Sequence, residues 1–352
     1  MKTWQNRGVI AALLAAMLFG ASTPLAKLLL GDITPLLLAS VLYLGSGIGL
    51  LVWLGLRRFL QHAPATTSLT GDDYLWLAAA VVAGGMVAPV LLVFGLVRTD
   101  AAAASLMLNL EGALTAAIAW LAFRENVDRR VFLGMGVIVA GGVLLSWQEV
   151  PRAGGVAGPL LIAAACLAWA IDNNLTRRVS GGDAATIACA KGLVAGTVNL
   201  ALALGLGAAL PPLPTLAATG LVGFLGYGIS LVLFIIALRH LGTARTGAYF
   251  SVAPFFGAAL AIGVLGEETT MLFWAAAGLM ALGVWLHISE RHEHEHAHEP
   301  MEHSHSHTHD AHHQHAHEAG WDGQEPHAHL HRHAPLVHSH PHYPDLHHRH
   351  GH

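Results

Sequence analysis

The 352-residue chain is short of charge, of cysteine and, over most of its length, of histidine. Asp, Glu, Lys and Arg make up 11% of it against 54% hydrophobic residues, and the mean hydropathy is +0.53. Soluble domains carry about 25% charged residues, so the composition argues against a soluble enzyme. The two cysteines, Cys166 and Cys189, each lie in an apolar stretch without a second thiol at ligand spacing, which excludes a disulfide framework and a thiolate zinc site. Strict alternation of polar and apolar residues is missing too. A membrane barrel needs it in segments of about ten, so a barrel fits poorly.

What the chain does have is apolar runs. A hydrocarbon core about 30 Å thick calls for roughly 20 apolar residues of helix. Ten such runs are found, at 8–30, 33–56, 74–97, 100–122, 129–147, 157–179, 183–207, 214–238, 243–265 and 270–289. The expected fold is therefore an all-α membrane protein of ten transmembrane helices. Lys2 and Arg7 ahead of the first run resemble the start of a signal peptide, but the apolar character continues to Leu30, longer than a typical signal core. With the N terminus inside, the cytoplasmic connections hold Lys2, Arg7, Arg57, Arg58, Arg124, Arg129, Arg130, Arg177, Arg178, Arg239 and Arg245, whereas the outside holds Lys27, Arg98 and Arg152. That bias predicts a multi-pass protein of the cytoplasmic membrane with both termini in the cytoplasm.

The chain also resembles itself. A shift of 150 residues lays Phe19, Leu25, Lys27 and Gly31 on Trp169, Leu175, Arg177 and Gly181; a shift of 141 or 142 lays Arg98 on Arg239, Glu125 on Glu267, Gly136 on Gly278 and Gly141 on Gly283. Five spans per copy is an odd number, so the second copy enters the membrane from the opposite side, as in secondary transporters built on inverted repeats. The expected domains are residues 1–147 and 148–289, one repeat each, and a tail at 290–352. The charges closing the fourth and ninth spans, in Phe123-Arg124-Glu125-Asn126 and Leu265-Gly266-Glu267-Glu268, together with an Arg after the third span of each copy, resemble the EamA branch of the drug/metabolite transporter superfamily. The resemblance covers about residues 8 to 289. It implies ten helices, cytoplasmic termini and transport of a small metabolite, and it names no substrate.

An ionisable residue within a span costs about 2.5–3.5 kcal/mol on insertion scales, so each needs a partner, a cavity or a function. Glu111 lies mid-span in Leu108-Asn109-Leu110-Glu111-Gly112, Asp172 deep in the sixth span, and Lys191 in the seventh. Glu111 is the candidate proton or cation site, and a structural pair with Lys191 is the competing reading. Asp172, Asn173, Asn174, Thr176 and Arg177 form a polar run whose counterparts are Ser22, Thr23, Pro24, Ala26 and Lys27. Pro24 removes a backbone donor and can loosen its helix. Tyr227, Ser230, Tyr249 and Ser251 offer hydroxyls to a cavity, with interhelical hydrogen bonding as the plainer alternative. The candidate transport site is thus Asn109, Glu111, Asp172, Asn173, Asn174, Lys191, Tyr227, Ser230, Tyr249 and Ser251.

The histidines reappear in the tail. Of 26 in the chain, 23 fall between His292 and His352, leaving His62, His240 and His287 elsewhere. They recur as His-x-His: His292, His294, His296 and His298; His303, His305, His307 and His309; His327, His329, His331 and His333; His338, His340 and His342. Residues two apart share a side of an extended chain, so neighbouring imidazoles can meet one Zn, Ni or Co ion. Without metal this composition predicts disorder. The tail carries a net charge of −7 with neutral histidines and moves towards +16 as they protonate around pH 6.5, so a pH-responsive linker is the alternative.

Together these features predict a secondary transporter of a small metabolite with a metal-binding cytoplasmic tail. It is not expected to be an enzyme and requires no cofactor. The alternatives are a divalent transition-metal transporter, and a membrane-anchored metal sensor or chaperone. The expected partners are the bilayer, a small-molecule substrate and divalent metal ions, with a homodimer allowed and nucleic acid excluded.

Overall fold

The computed structural model describes residues 2–61, 71–123, 129–149, 155–179 and 183–288, and in the tail 293–298, 302–307, 327–332 and 336–341. The first stretch of helices runs α1 (Lys2–Leu29), α2 (Pro35–Gln61), α3 (Gly71–Ala80), α4 (Ala88–Leu96), α5 (Ala101–Met107), α6 (Asn109–Phe123) and α7 (Arg129–Glu149). Then follow α8 (Ala157–Val179), α9 (Ala184–Gly205), α10 (Leu213–Gly223), α11 (Ser230–Phe250), α12 (Ala253–Leu260) and α13 (Met271–Ile288). A π-helical segment, Val81–Val87, joins α3 to α4, and a second, Phe224–Ile229, joins α10 to α11. A third, Ala261–Leu265, extends α12.

Among the described residues, eight helical stretches are long and apolar enough to cross a membrane, from Gly8–Leu29 to Leu213–Leu238, and each falls on an expected run. The last two runs differ. Ala253–Leu265 and Met271–Leu286 are shorter apolar helices, and the turn expected near 239–242 is absent because helix continues to Phe250. Gly242 weakens a helix by about 1 kcal/mol without ending it. The break comes instead at Ser251–Val252, just ahead of Pro254 in the first turn of α12, where a proline's missing donor is harmless. Pro24 is held inside an unbroken α1. The Gly20 carbonyl, four residues before it, lies so close to Gly257 that a Cβ there would collide with it.

Packing between the two stretches keeps its pattern when they are exchanged. Helix α2 lies against α9, and α7 against α13. Contact of α1 with α11 is matched by that of α8 with α4, and contact of α1 with α12 by that of α8 with α6. The π segment at 81–87 rests on α8 and α9, as the one at 224–229 rests on α1 and α2. Glycine permits the closest approaches: Gly47 and Gly192 bring the backbones of α2 and α9 together, and Gly141 and Gly283 do the same for α7 and α13, with no room for a Cβ at any of the four. Large apolar side chains such as Phe59, Leu75, Trp147 and Met271 point outward, as lipid-facing residues do.

The tail forms its own unit. Where disorder is expected, the described backbone carries four strands, β1 (Glu293–His298), β2 (Glu302–His307), β3 (His327–Arg332) and β4 (Leu336–Pro341). The pairs β1–β4 and β2–β3 are antiparallel, with His294 opposite His340 and His305 opposite His329. The period of two in His-x-His is the period of a strand, which is why extended pairing suits it. The tail's imidazoles lie outside the described residues, and so do His292, His309, His333 and His342 altogether.

Candidate functional site

Two polar constellations face one cavity inside the helical body. Helix α8 supplies Trp169, Asp172 and Asn173, and α9 supplies Lys191. The Lys191 ammonium donates to both oxygens of Asp172, at 2.6 and 2.7 Å, and to Thr176 Oγ1 at 3.2 Å. Thr176, one turn along α8 from Asp172, itself donates to Asp172 Oδ1 at 2.8 Å. Lys191 is 3% exposed and Asp172 5%. At that depth neither charge is tolerable alone, and together they are neutral. The expected alternative pairing of Lys191 with Glu111 is not formed: Lys191 spends its three donors on Asp172 and Thr176.

Gly84 makes room for this pair. It lies in the π segment at 81–87, and a Cβ on it would overlap the Asp172 carboxyl group. Two carbonyls of this π segment are also served from the side by side-chain donors. The Gly84 carbonyl accepts from Tyr43 Oη at 2.6 Å and Trp169 Nε1 at 3.0 Å, and the Gly85 carbonyl from Asn199 Nδ2 at 3.3 Å.

Glu111 makes the second constellation. Its Oε1 accepts from Asn173 Nδ2 at 2.8 Å, and the same amide reaches Thr115 Oγ1 at 3.4 Å. Among the described residues Glu111 has no ion pair. The cavity that it borders offers about 70 Å³ of solvent-accessible space and has six aromatic residues in its walls: Phe19, Tyr43, Trp169, Tyr227, Phe234 and Phe250. These rings touch in series, Tyr43 to Tyr227 at 5.3 Å, Tyr227 to Phe19 at 5.8 Å, Phe19 to Phe250 at 5.4 Å and Phe250 to Phe234 at 4.8 Å between centroids, while Phe19 also meets Trp169 at 5.7 Å.

Six of the ten expected site residues therefore border one cavity: Glu111, Asp172, Asn173, Lys191, Tyr227 and Ser230. The Ser230 hydroxyl also donates to the Ala15 carbonyl at 2.9 Å. The other four lie elsewhere. Asn109 donates to Leu106 O at 3.0 Å and approaches the Met280 sulfur at 3.8 Å, and Asn174 bonds the carbonyls of Ala170 and Thr115. Ser251 bonds back to Gly247 O at 2.8 Å, and Tyr249 packs on the Ala11–Ala12–Ala237–Leu241 cluster. Sequence reasoning missed Tyr43 and the phenylalanines, because an aromatic in an apolar run looks like any other core residue. It also passed over Ser46, which borders the cavity one residue before Gly47, as Lys191 does one before Gly192.

The charges shared by the repeats have structural work at one connection. Lys27 donates to the carbonyls of Leu96 and Thr99, at the end of α4. Glu267 accepts from the backbone N–H groups of Ala101 and Ala102, at 2.8 and 2.7 Å, at the start of α5. The connection 97–100 is so held at both ends by opposite charges that complement the helix termini. Glu125 lies outside the described residues.

Residues 6–147 and 156–289 each match the EamA-like transporter family. The chain belongs to that family. As an EamA-like protein it is a multi-pass membrane protein of a transporter fold. It is 30% identical over 294 residues to an "Uncharacterized transporter" of Methanothermobacter thermautotrophicus, covering 79% of this chain and 85% of that one. It is 24% identical over 253 residues to the "Uncharacterized inner membrane transporter YedA" of Escherichia coli K12, covering 71% and 80%. A solved crystal structure superposes with a TM-score of 0.60 at 20% identity, over 78% of this chain and 94% of the other, a likeness of fold alone.

Proposed function

We propose that the protein is a secondary transporter that passes a small solute through the aromatic cavity by alternating exposure of two inverted five-helix copies. The observation that carries the reading is the cavity itself, set where α1, α2 and α11 meet α6, α8 and α9 and bordered by Glu111 and the Asp172–Lys191 pair. Glu111 is halfway along the apolar stretch Ala101–Ala122, where a polar site has use only if something enters it. The packing pattern that survives exchange of the two copies supports two alternative closures of similar geometry. In this reading the chain crosses the membrane ten times, both termini are cytoplasmic, as the distribution of Lys and Arg favours, and no enzymatic step is involved.

Glu111 is the proposed coupling group, since its carboxylate has an amide partner that can hold either protonation state. The tail is proposed to bind Zn, Ni or Co through its histidines and to act on the ion supply of the cell side rather than on the cavity. An unbiased screen of metabolites accumulated or depleted by cells making the full chain, set against cells making Glu111→Gln, tests the transport reading. A metabolite moved by the first and not driven by a pH gradient in the second is expected. Identical profiles for the full chain, the variant and empty cells refute it. Truncation after Ser289 should leave that metabolite profile unchanged while altering metal tolerance, and loss of metal tolerance together with transport favours metal as cargo.

A further inference from the structure

We infer that the cavity selects organic ammonium ions. This rests on reading it as the substrate site and adds the chemical class. Of the charges in the cavity wall, few are still available to a solute. Asp172 and Lys191 cancel one another at 2.6 and 2.7 Å. An ammonium group has three N–H donors, and Lys191 directs them at Asp172 Oδ1, Asp172 Oδ2 and Thr176 Oγ1. No donor of Lys191 remains for a carboxylate or phosphate on a solute. Glu111, in contrast, is satisfied by a neutral amide, so its charge is not cancelled. The one uncompensated charge that the described wall presents is negative.

The aromatic walls select the same sign. Ring faces carry negative electrostatic potential and attract cations within about 6 Å, most strongly at Trp. Two of the rings have already placed their polar edges in the π segment: Tyr43 Oη and Trp169 Nε1 both donate to Gly84 O. Both hydrogen bonds hold these side chains in place at the cavity's border. The cation–ring contacts of the described residues, Arg57 on Trp53 and Arg178 on Trp76, involve other rings, so those of the cavity have not been taken by protein cations there. An ammonium with small alkyl substituents meets both demands, charge for Glu111 and methyl or methylene surface for the rings. A space of about 70 Å³ sets the scale at a small ion.

The test uses full-length protein in detergent and a pair of probes that differ in charge and little else. Choline and its neutral carbon analogue 3,3-dimethylbutanol have the same shape, and glycine betaine adds a carboxylate to the same trimethylammonium head. Isothermal titration should show choline binding at least tenfold more tightly than 3,3-dimethylbutanol, and betaine no better than the neutral probe. In Glu111→Gln, which preserves the acceptor for Asn173, the preference for choline should fall to less than threefold. Equal affinities for choline and the alcohol in the wild-type protein, or tighter binding of betaine, overturn the inference without any variant being needed. A choline preference that survives Glu111→Gln overturns it as well. Transport of an anionic or neutral metabolite found in the screen above sinks the ammonium selectivity and leaves transport standing; choline selectivity without flux of any solute does the reverse.

Discussion

Replacing Lys191 by methionine leaves the Asp172 carboxylate with Thr176 as its remaining side-chain donor, in a position 5% exposed to solvent. Methionine has nearly the same length and volume as lysine, so little packing is lost and the cost is that of stranding a charge. Breaking a buried ion pair in this way costs about 3–5 kcal/mol, whereas removing both charges together is close to neutral. For a domain of this size each kcal/mol corresponds to roughly 2–4 °C, so Lys191→Met should lower Tm by about 6–20 °C. Asp172→Asn/Lys191→Met should recover at least half of that. The two free cysteines supply the assay: Cys166 and Cys189 are both buried, so a thiol-reactive dye labels them only as the protein unfolds. If the double variant loses the sum of the two single losses, the charges are uncoupled and the pair is not what holds α8 to α9.

Three further outcomes can be checked with the same protein. Gly84→Ala should destabilise the protein by about 2 kcal/mol or more, because a Cβ there occupies the place of the Asp172 carboxyl, and the same change should cost much less in an Asp172→Ala/Lys191→Met background, where the carboxyl and its counter-charge are both gone. Glu267→Ala removes the acceptor for two N–H groups of α5 and should cost about 1–2 kcal/mol by thermal unfolding, with Glu267→Gln costing less; no change in either would show that the connection 97–100 does not depend on it. Residues 290–352 as a separate peptide should take up several Zn or Ni ions at neutral pH and release them as the pH falls through about 6.5, since imidazole binds metal only when neutral. Absence of uptake at micromolar metal would reduce the tail to a linker.

Eight spans were legible in the sequence because lipid imposes length and apolarity on every crossing helix, and these are local properties. Glu111, Asp172 and Lys191 were legible for the same reason: charge is conspicuous in an apolar run. Their partners were not. Whether Lys191 meets Glu111 or Asp172 depends on how α9 is turned in the bundle; the glycine beside it, Gly192, takes part in setting that through its contact with Gly47 of α2, but nothing local tells which backbone a glycine will meet. The π segments were equally hidden, although two of the three contain closely spaced glycines, Gly84-Gly85 and Gly226 with Gly228. The eighth span ends where expected, at Leu238, but its helix runs on to Phe250: a basic residue followed by glycine looks like a boundary, while the proline that sets the break stands a dozen residues later.

The two copies share a backbone pattern and differ in what it carries. Lys191 and Asp172 stand in the second copy at the places where the first has Ser46 and Ser22, each fixed by the same glycine contact or the same helical register. A carrier whose halves were identical would spend equal time open to either side of the membrane. Here the ionic pair belongs to one half and hydroxyls answer it in the other, so in the proposed transport cycle the two openings would differ in energy before any solute or gradient is applied. On that proposal a resting preference for one side would lie in four side chains rather than in the fold, and a duplicated scaffold would acquire a direction without losing its symmetry of shape.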